Sequence, residues 1–135
     1  MKEQTISKYL KPIIRNYDQN PNKWFSTKFF AEKFNVHPST VTEHFQSLSM
    51  LGLVEYKKYK GIKLTPHGIK QGQILMRKHR ILEYFFSNEL GLTCEEACKE
   101  ASKIDIYISE KIIDKICTKL EHPRVCPCGH NIFHY

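Results

Sequence analysis

The stretch Asn35-Val36-His37-Pro38-Ser39-Thr40-Val41-Thr42-Glu43-His44-Phe45-Gln46-Ser47-Leu48 decides how this chain is read. Asn35-Val36-His37 is a short turn. Pro38 then stands where a helix tolerates proline, at its first position, because that N–H would have no intrahelical acceptor anyway. Val41, Phe45 and Leu48 recur at helical spacing, and Gly52 is the expected stop. The rest of the helix carries Ser39, Thr40, Thr42, Glu43 and Gln46, all able to hydrogen-bond and short enough to let the helix approach another surface.

The neighbouring segments extend this reading in both directions. Upstream, Ser26 is placed to cap a helix with Phe29, Phe30 and Phe34 on its apolar side. Before it, Ile6, Leu10, Ile13 and Ile14 mark a first helix that ends ahead of the turn-rich Asp18-Gln19-Asn20-Pro21. Downstream, Leu53 to Tyr59 alternates loosely, turns at Lys60-Gly61 and returns through Ile62 to Leu64, as a two-stranded hairpin would. Helix, turn, helix and lysine-rich hairpin is the order of a winged helix-turn-helix. In that geometry the second helix of the pair enters the major groove of double-stranded DNA. Ser39, Thr40, Thr42, Glu43 and Gln46 would then face base edges, and Lys57, Lys58 and Lys60 in the wing would hold phosphates and set register. The competing reading makes Ser39 and Thr40 helix caps and the remaining residues a solvated face.

Charge favours the DNA reading. Residues 1–80 carry fifteen Lys/Arg against five Asp/Glu, a net +10, whereas residues 81–135 carry six against nine, a net −3. A basic half is what a phosphate-following surface requires, since each neutralised phosphate releases counterions.

The second half reads as helices. Thr65-Pro66 restarts a helix that runs from Ile69 to Leu90 with only Gly72 to interrupt it, and a short helix follows over about Thr93 to Ile104. Ser109 caps a last one carrying Ile112, Ile113, Ile116 and Leu120. Helices with this much Ile, Phe and Tyr are expected to bury a face against one another and against a second copy, and a homodimer also suits paired DNA half-sites. The expected fold is mainly α: a winged helix-turn-helix over residues 1–68, then a connector helix with a helical metal-binding and dimerisation domain over 69–135. With 135 residues the chain suits one compact unit or two small ones. It has no run of about eighteen apolar residues, and Met1 to Lys11 is polar and periodic rather than an export signal. A soluble cytoplasmic protein without a membrane partner is expected.

Taken in order, these residues resemble the metal-dependent repressors of the diphtheria toxin repressor and manganese transport regulator type. The resemblance covers nearly the whole chain. It is carried by Val36-His37-Pro38-Ser39-Thr40-Val41-Thr42, by Gly61-Ile62-Lys63-Leu64-Thr65 and by Met76-Arg77-Lys78-His79-Arg80-Ile81-Leu82-Glu83. The stretch Glu95 to Ser109 and the closing His122-Pro123 and Cys126-Pro127-Cys128-Gly129 extend it. It implies a winged helix followed by a helical dimerisation domain, in a short form without the C-terminal SH3-like domain of longer members. It also implies that a bound ion fixes the two recognition helices at half-site spacing.

The metal chemistry follows from residue types and from the resemblance together. His79 and Glu83 are four apart on one helix, so both side chains leave the same face. Such a pair is a common surface or core feature; the resemblance makes it a ligand pair and places Cys98 at a third ligand position, where histidine is usual. Cys94 lies one helical turn before Cys98, and the closing segment offers Cys126 and Cys128 with His130 two residues on. Five cysteines in a chain of this kind are expected to be reduced, metal-bound or redox-active rather than a disulfide framework. The soft donors favour zinc or ferrous iron over manganese, and admit an iron–sulfur cluster. The alternative is that Cys94 and Cys98 are small core residues and that Pro127 and Gly129 shape a turn; Cys117, alone on an apolar face, reads as packing. Six donors exceed the four that a structural zinc takes, so a subset is expected to bind.

The resemblance carries a second metal position, from which this chain departs. Lys8 and Lys11 stand where acidic residues are usual, and Ser102, Asp105 and Ile106 where Cys or Glu, Glu and His are usual. That position is expected to be empty, with Lys8 or Lys11 paired to Asp105. The functional expectation is a metal-responsive regulator, a repressor in the sense of the resemblance. Its alternatives are a thiol or iron–sulfur redox sensor and a constitutive DNA-binding protein with a structural zinc. A hydrolase using Glu83 as base would need an open metal position in a substrate pocket. No such pocket is announced, so neither catalysis nor a small-molecule substrate is expected.

Overall fold

The computed structural model describes residues 1–17 and 19–132. Asp18 of the expected turn and residues 133–135 lie outside them. Six helices and one two-stranded sheet are described, in the order α1 (Glu3–Arg15), α2 (Thr27–Phe34), α3 (Pro38–Met50), β1 (Val54–Lys57), β2 (Gly61–Leu64), α4 (Pro66–Leu90), α5 (Cys94–Ile104) and α6 (Glu110–Lys119). The chain divides into two compact units, Met1–Gly72 and Gln73–Tyr135.

In the first unit the aromatic residues build the core. Tyr9, Phe30 and Phe45 are almost completely buried, with Val41, Leu48 and Ile62 around them. Ring centroids of Tyr9 and Phe30 lie 4.8 Å apart and those of Phe30 and Phe45 5.8 Å apart. Burying one such ring stabilises the fold by roughly 2–3 kcal/mol, so this cluster fixes how α1, α2 and α3 pack. α2 starts at Ser26, whose Oγ accepts from the Phe29 N–H, and ends at Asn35 in the left-handed region.

The wing is a short antiparallel hairpin with Val54 opposite Leu64 and Lys57 opposite Gly61. Its loop is Lys58-Tyr59-Lys60, with Tyr59 at φ 72°. Gly61 is required: an added Cβ would meet the Phe25 carbonyl oxygen at 1.9 Å, because Phe25 pairs with Ile62 as a third edge.

In the second unit, Ile81, Leu82, Ala101, Ile113, Cys117, Cys126 and Ile132 form one core cluster. Thr93 and Glu96 close a capping box at the start of α5, and Ser109 Oγ caps α6 by accepting from the Ile112 N–H. The two hydrogen bonds from Thr93 to Glu96 hold that carboxyl below its usual pKa. After α6 the chain makes two left-handed residues, Glu121 and His122, and returns as a small loop closed by a Val125–Asn131 bridge. Cys117 is buried in the core, as its position on an apolar face suggested.

Candidate metal centre and nucleic-acid surface

The sequence of α3 sets up its outward face. His37, not Ser39 or Thr40, is the N-cap: its Nδ1 lies 3.2 Å from the Ser39 N–H, which donates to it, and 2.8 Å from the Ser39 hydroxyl. The cap reading of Ser39 and Thr40 is therefore wrong, because an imidazole already occupies that role. Ser39, Glu43 and Gln46 are exposed and Thr40 and Thr42 half-buried, while Val41, Phe45 and Leu48 face inward. Thr42 Oγ1 donates to the Pro38 carbonyl at 3.2 Å.

In the wing, Lys57, Lys58 and Lys60 are all exposed. The Trp24 ring lies under three ammonium groups, 5.5 Å from Lys57, 5.6 Å from Lys60 and 5.3 Å from Lys63. A tryptophan face attracts cations and holds the lysine stems along one surface. Sequence reasoning passed over Trp24; its place one residue before Phe25, which pairs with the wing, was the available signal. Three of the fifteen basic residues of the N-terminal half have other partners within the second unit. Arg77 pairs with Asp114 at 2.6 Å, Lys78 donates to the Ile108 carbonyl at 2.6 Å and Arg80 to the Asn131 carbonyl at 2.7 Å.

The donor residues of the second unit converge in part. His79 and Glu83 leave one face of α4, and His79 Nε2 is 2.5 Å from Glu83 Oε1. Cys98 of α5 brings its Sγ to 3.4 Å from the same nitrogen. The donor atoms of His79, Glu83 and Cys98 all lie within 4.8 Å of one another, the one such group among the described residues. His79 and Glu83 are buried and Cys98 half-exposed, so the group opens to solvent on the sulfur side. The other ring nitrogen, Nδ1, lies 2.9 Å from Oδ2 of the fully buried Asp105. Donation of Nδ1–H to that carboxylate leaves the Nε2 lone pair aimed at Glu83 and Cys98. An imidazole nitrogen, a carboxylate oxygen and a cysteine sulfur converging within 4.8 Å of one another are a donor set that fits a metal. Sequence reasoning placed Asp105 only in the second metal position; its pairing with His79 spans 26 residues and has no local signature.

The remaining expected ligands divide. Cys126 is buried, and burial pushes its thiol pKa up, with the Glu83 carboxylate beside it adding to the rise and backbone hydrogen bonds from His130 and Cys128 opposing it. It therefore borders the three-residue group. Cys94 and Cys128 are joined to each other by a disulfide, with Cα atoms 5.2 Å apart. Sulfur so bonded offers no thiolate, so Cys94 and Cys128 fall outside the subset of the six candidate donors that could ligate in this state, and one pair of the five cysteines is bonded. An iron–sulfur cluster held by four thiolates does not fit the donors that remain, Cys98 and Cys126. In the first unit Lys8 stacks on Phe34, 4.5 Å from its ring centre.

A winged helix-turn-helix followed by a helical unit with a convergent nitrogen, oxygen and sulfur donor group has the architecture of a metal-dependent DNA-binding regulator. Residues 2–62 match the N-terminal DNA-binding domain of the iron dependent repressors, and residues 65–134 match their metal binding and dimerisation domain. The chain is 34% identical over 113 residues to an uncharacterised HTH-type transcriptional regulator of Methanocaldococcus jannaschii, covering 84% of this chain and 90% of that protein. It is 38% identical over 86 residues to the HTH-type transcriptional regulator MntR of Geobacillus kaustophilus, covering 64% of this chain and 60% of that one. A manganese-dependent transcriptional repressor solved with manganese superposes with a TM-score of 0.82 at 32% identity, over 96% of this chain and 58% of that one. The chain thus spans about three fifths of the length of the latter two. It belongs to the iron dependent repressor family, a family of metal-dependent transcriptional regulators that bind DNA and dimerise through the C-terminal domain.

Proposed function

We propose that this protein is a homodimeric transcription repressor, not an enzyme, whose affinity for its DNA operator is set by one divalent transition metal held by His79, Glu83, Cys98 and Cys126. The carrying observation is the His79–Glu83–Cys98 group, buried at His79 and Glu83 and half-exposed at Cys98, with Asp105 behind the imidazole. Two sulfur donors beside one nitrogen and one oxygen select zinc or ferrous iron; manganese prefers a harder set. The ion, when bound, supplies a fixed positive charge and a cross-link between α4 and α5. Asp105 holds the imidazole tautomer, and Glu83 is ready to accept the charge. The second metal position stays empty, since lysines repel a cation and isoleucine cannot ligate it.

Ser39, Thr40, Thr42, Glu43 and Gln46 read base edges, and Lys57, Lys58 and Lys60 hold the backbone. Exposed Ile104, Tyr107 and Ile112 leave an apolar face on the second unit, which supports the homodimer. Among the described residues no helix is long and apolar enough to cross a membrane; a cytoplasmic protein without membrane partner or small-molecule substrate is the reading we adopt. The test is the metal and acid-labile sulfide content of protein purified without oxygen. One zinc or iron per chain without sulfide is expected; sulfide, or no metal in wild type, would overturn the assignment.

A further inference from the structure

We propose that the Cys94–Cys128 disulfide is a redox-operated clasp that holds the Cys126 segment against the metal centre, so that a dithiol reductant weakens metal binding. This rests on the metal reading above. The bond joins residues 34 apart in sequence, and each end lies next to a donor. Cys94 opens α5 one turn before Cys98, on the same face. Cys128 lies two residues after Cys126, whose buried thiol borders Glu83.

Beyond the bond, the segment is held by a few hydrogen bonds and by the burial of two side chains in the core of the second unit. Cys126 N–H donates to the His130 carbonyl at 2.9 Å, Ile132 N–H to the Arg124 carbonyl at 2.8 Å, and Arg80 reaches the Asn131 carbonyl at 2.7 Å. From Arg124 to Ile132 only Cys126 and Ile132 are buried. A loop with so few buried side chains has low local stability. Cross-linking it to α5 removes much of the freedom it would otherwise have.

The chemistry is accessible. Cys94 and Cys128 are half-exposed, whereas Cys117 and Cys126 are buried, so a reductant reaches the bonded pair first. One thiolate of a dithiol attacks one sulfur, giving a mixed disulfide and releasing the other cysteine. The second thiol of the reductant then displaces the first cysteine. The Cys94–Cys128 bond breaks, two thiols form with two protons, and the reductant closes its own disulfide after giving two electrons. With the clasp closed, Cys126 is ordered before a metal arrives. With it open, that ordering is charged to metal binding.

The test uses the full chain, oxidised or reduced with a phosphine, and cobalt(II) as the probe. Reduction should lower cobalt affinity about tenfold, as expected for a donor that must be ordered on binding, and the C94S/C128S variant should match reduced wild type in either condition. Hydrogen exchange on metal-free protein should accelerate at the Cys126 and Ile132 amides on reduction, independently of any metal. Equal or tighter cobalt binding after reduction, or unchanged exchange at those amides, would overturn the clasp. Failure of cobalt to bind in both states would instead remove the metal reading and the coupling with it, while the exchange data would still report the tether.

Discussion

Asp105 and His79 form a fully buried pair, Oδ2 to Nδ1 at 2.9 Å, on the opposite ring nitrogen from the one that faces Glu83 and Cys98. Carboxylates in this position commonly raise metal affinity about 10–100-fold. Asp105→Asn keeps the shape and removes the charge, so zinc affinity should fall by about that factor with the circular dichroism spectrum unchanged. Undiminished affinity would mean that the pair is only a core contact.

Cys98, half-exposed, is the one sulfur donor of the three-residue group. Cys98→His should move the preference between metals, narrowing the zinc-over-manganese affinity ratio by about tenfold or more while keeping one metal per chain. Competition titrations with the two ions read this directly, and an unchanged ratio would place Cys98 outside the coordination shell.

The wing and α3 should respond differently to substitution. Replacing Lys57, Lys58 and Lys60 together with Ala should lower the salt dependence of DNA binding by roughly 2–3 per protomer, about one for each phosphate no longer neutralised. Ser39→Ala with Thr42→Ala should instead erode discrimination between operator and random DNA and leave the salt slope in place. Trp24 is the only tryptophan and lies beneath Lys57, Lys60 and Lys63, so DNA binding should change its fluorescence.

Tyr9 couples the first core to pH. Burial raises its pKa from 10.0 to about 12, and its hydroxyl pairs with His44 Nδ1 at 2.9 Å. A phenol whose folded pKa lies above its unfolded value favours the folded state while it is neutral. Its contribution is therefore complete below the unfolded pKa of 10.0 and is lost as pH rises from there towards about 12. Denaturation midpoints of wild type should fall across that window more steeply than those of Tyr9→Phe.

Much of this was legible in the sequence because it is local. Pro38 opening α3, Ser26 and Ser109 as caps and the lysine-rich turn all act over a few residues. His79 and Glu83 were readable because a helix turn places them together. What escaped is non-local. The Asp105–His79 pair, the Cys94–Cys128 bond and the Trp24 platform depend on packing across 26 residues, 34 residues and two elements respectively. Cysteine spacing alone could not tell a bonded pair from a ligand pair, since Cys94 is as well placed on α5 as Cys98 one turn later.

On the proposed function, metal held at His79 controls DNA binding. The most direct measurement is operator affinity of wild type and His79→Ala, each with and without stoichiometric zinc or ferrous iron, at one fixed salt concentration. Wild type should bind at least tenfold more tightly with metal, a coupling of about 1.4 kcal/mol, and His79→Ala should bind at the metal-free level in both conditions. Equal wild-type affinity with and without metal would contradict regulation by metal and leave the centre a structural fixture.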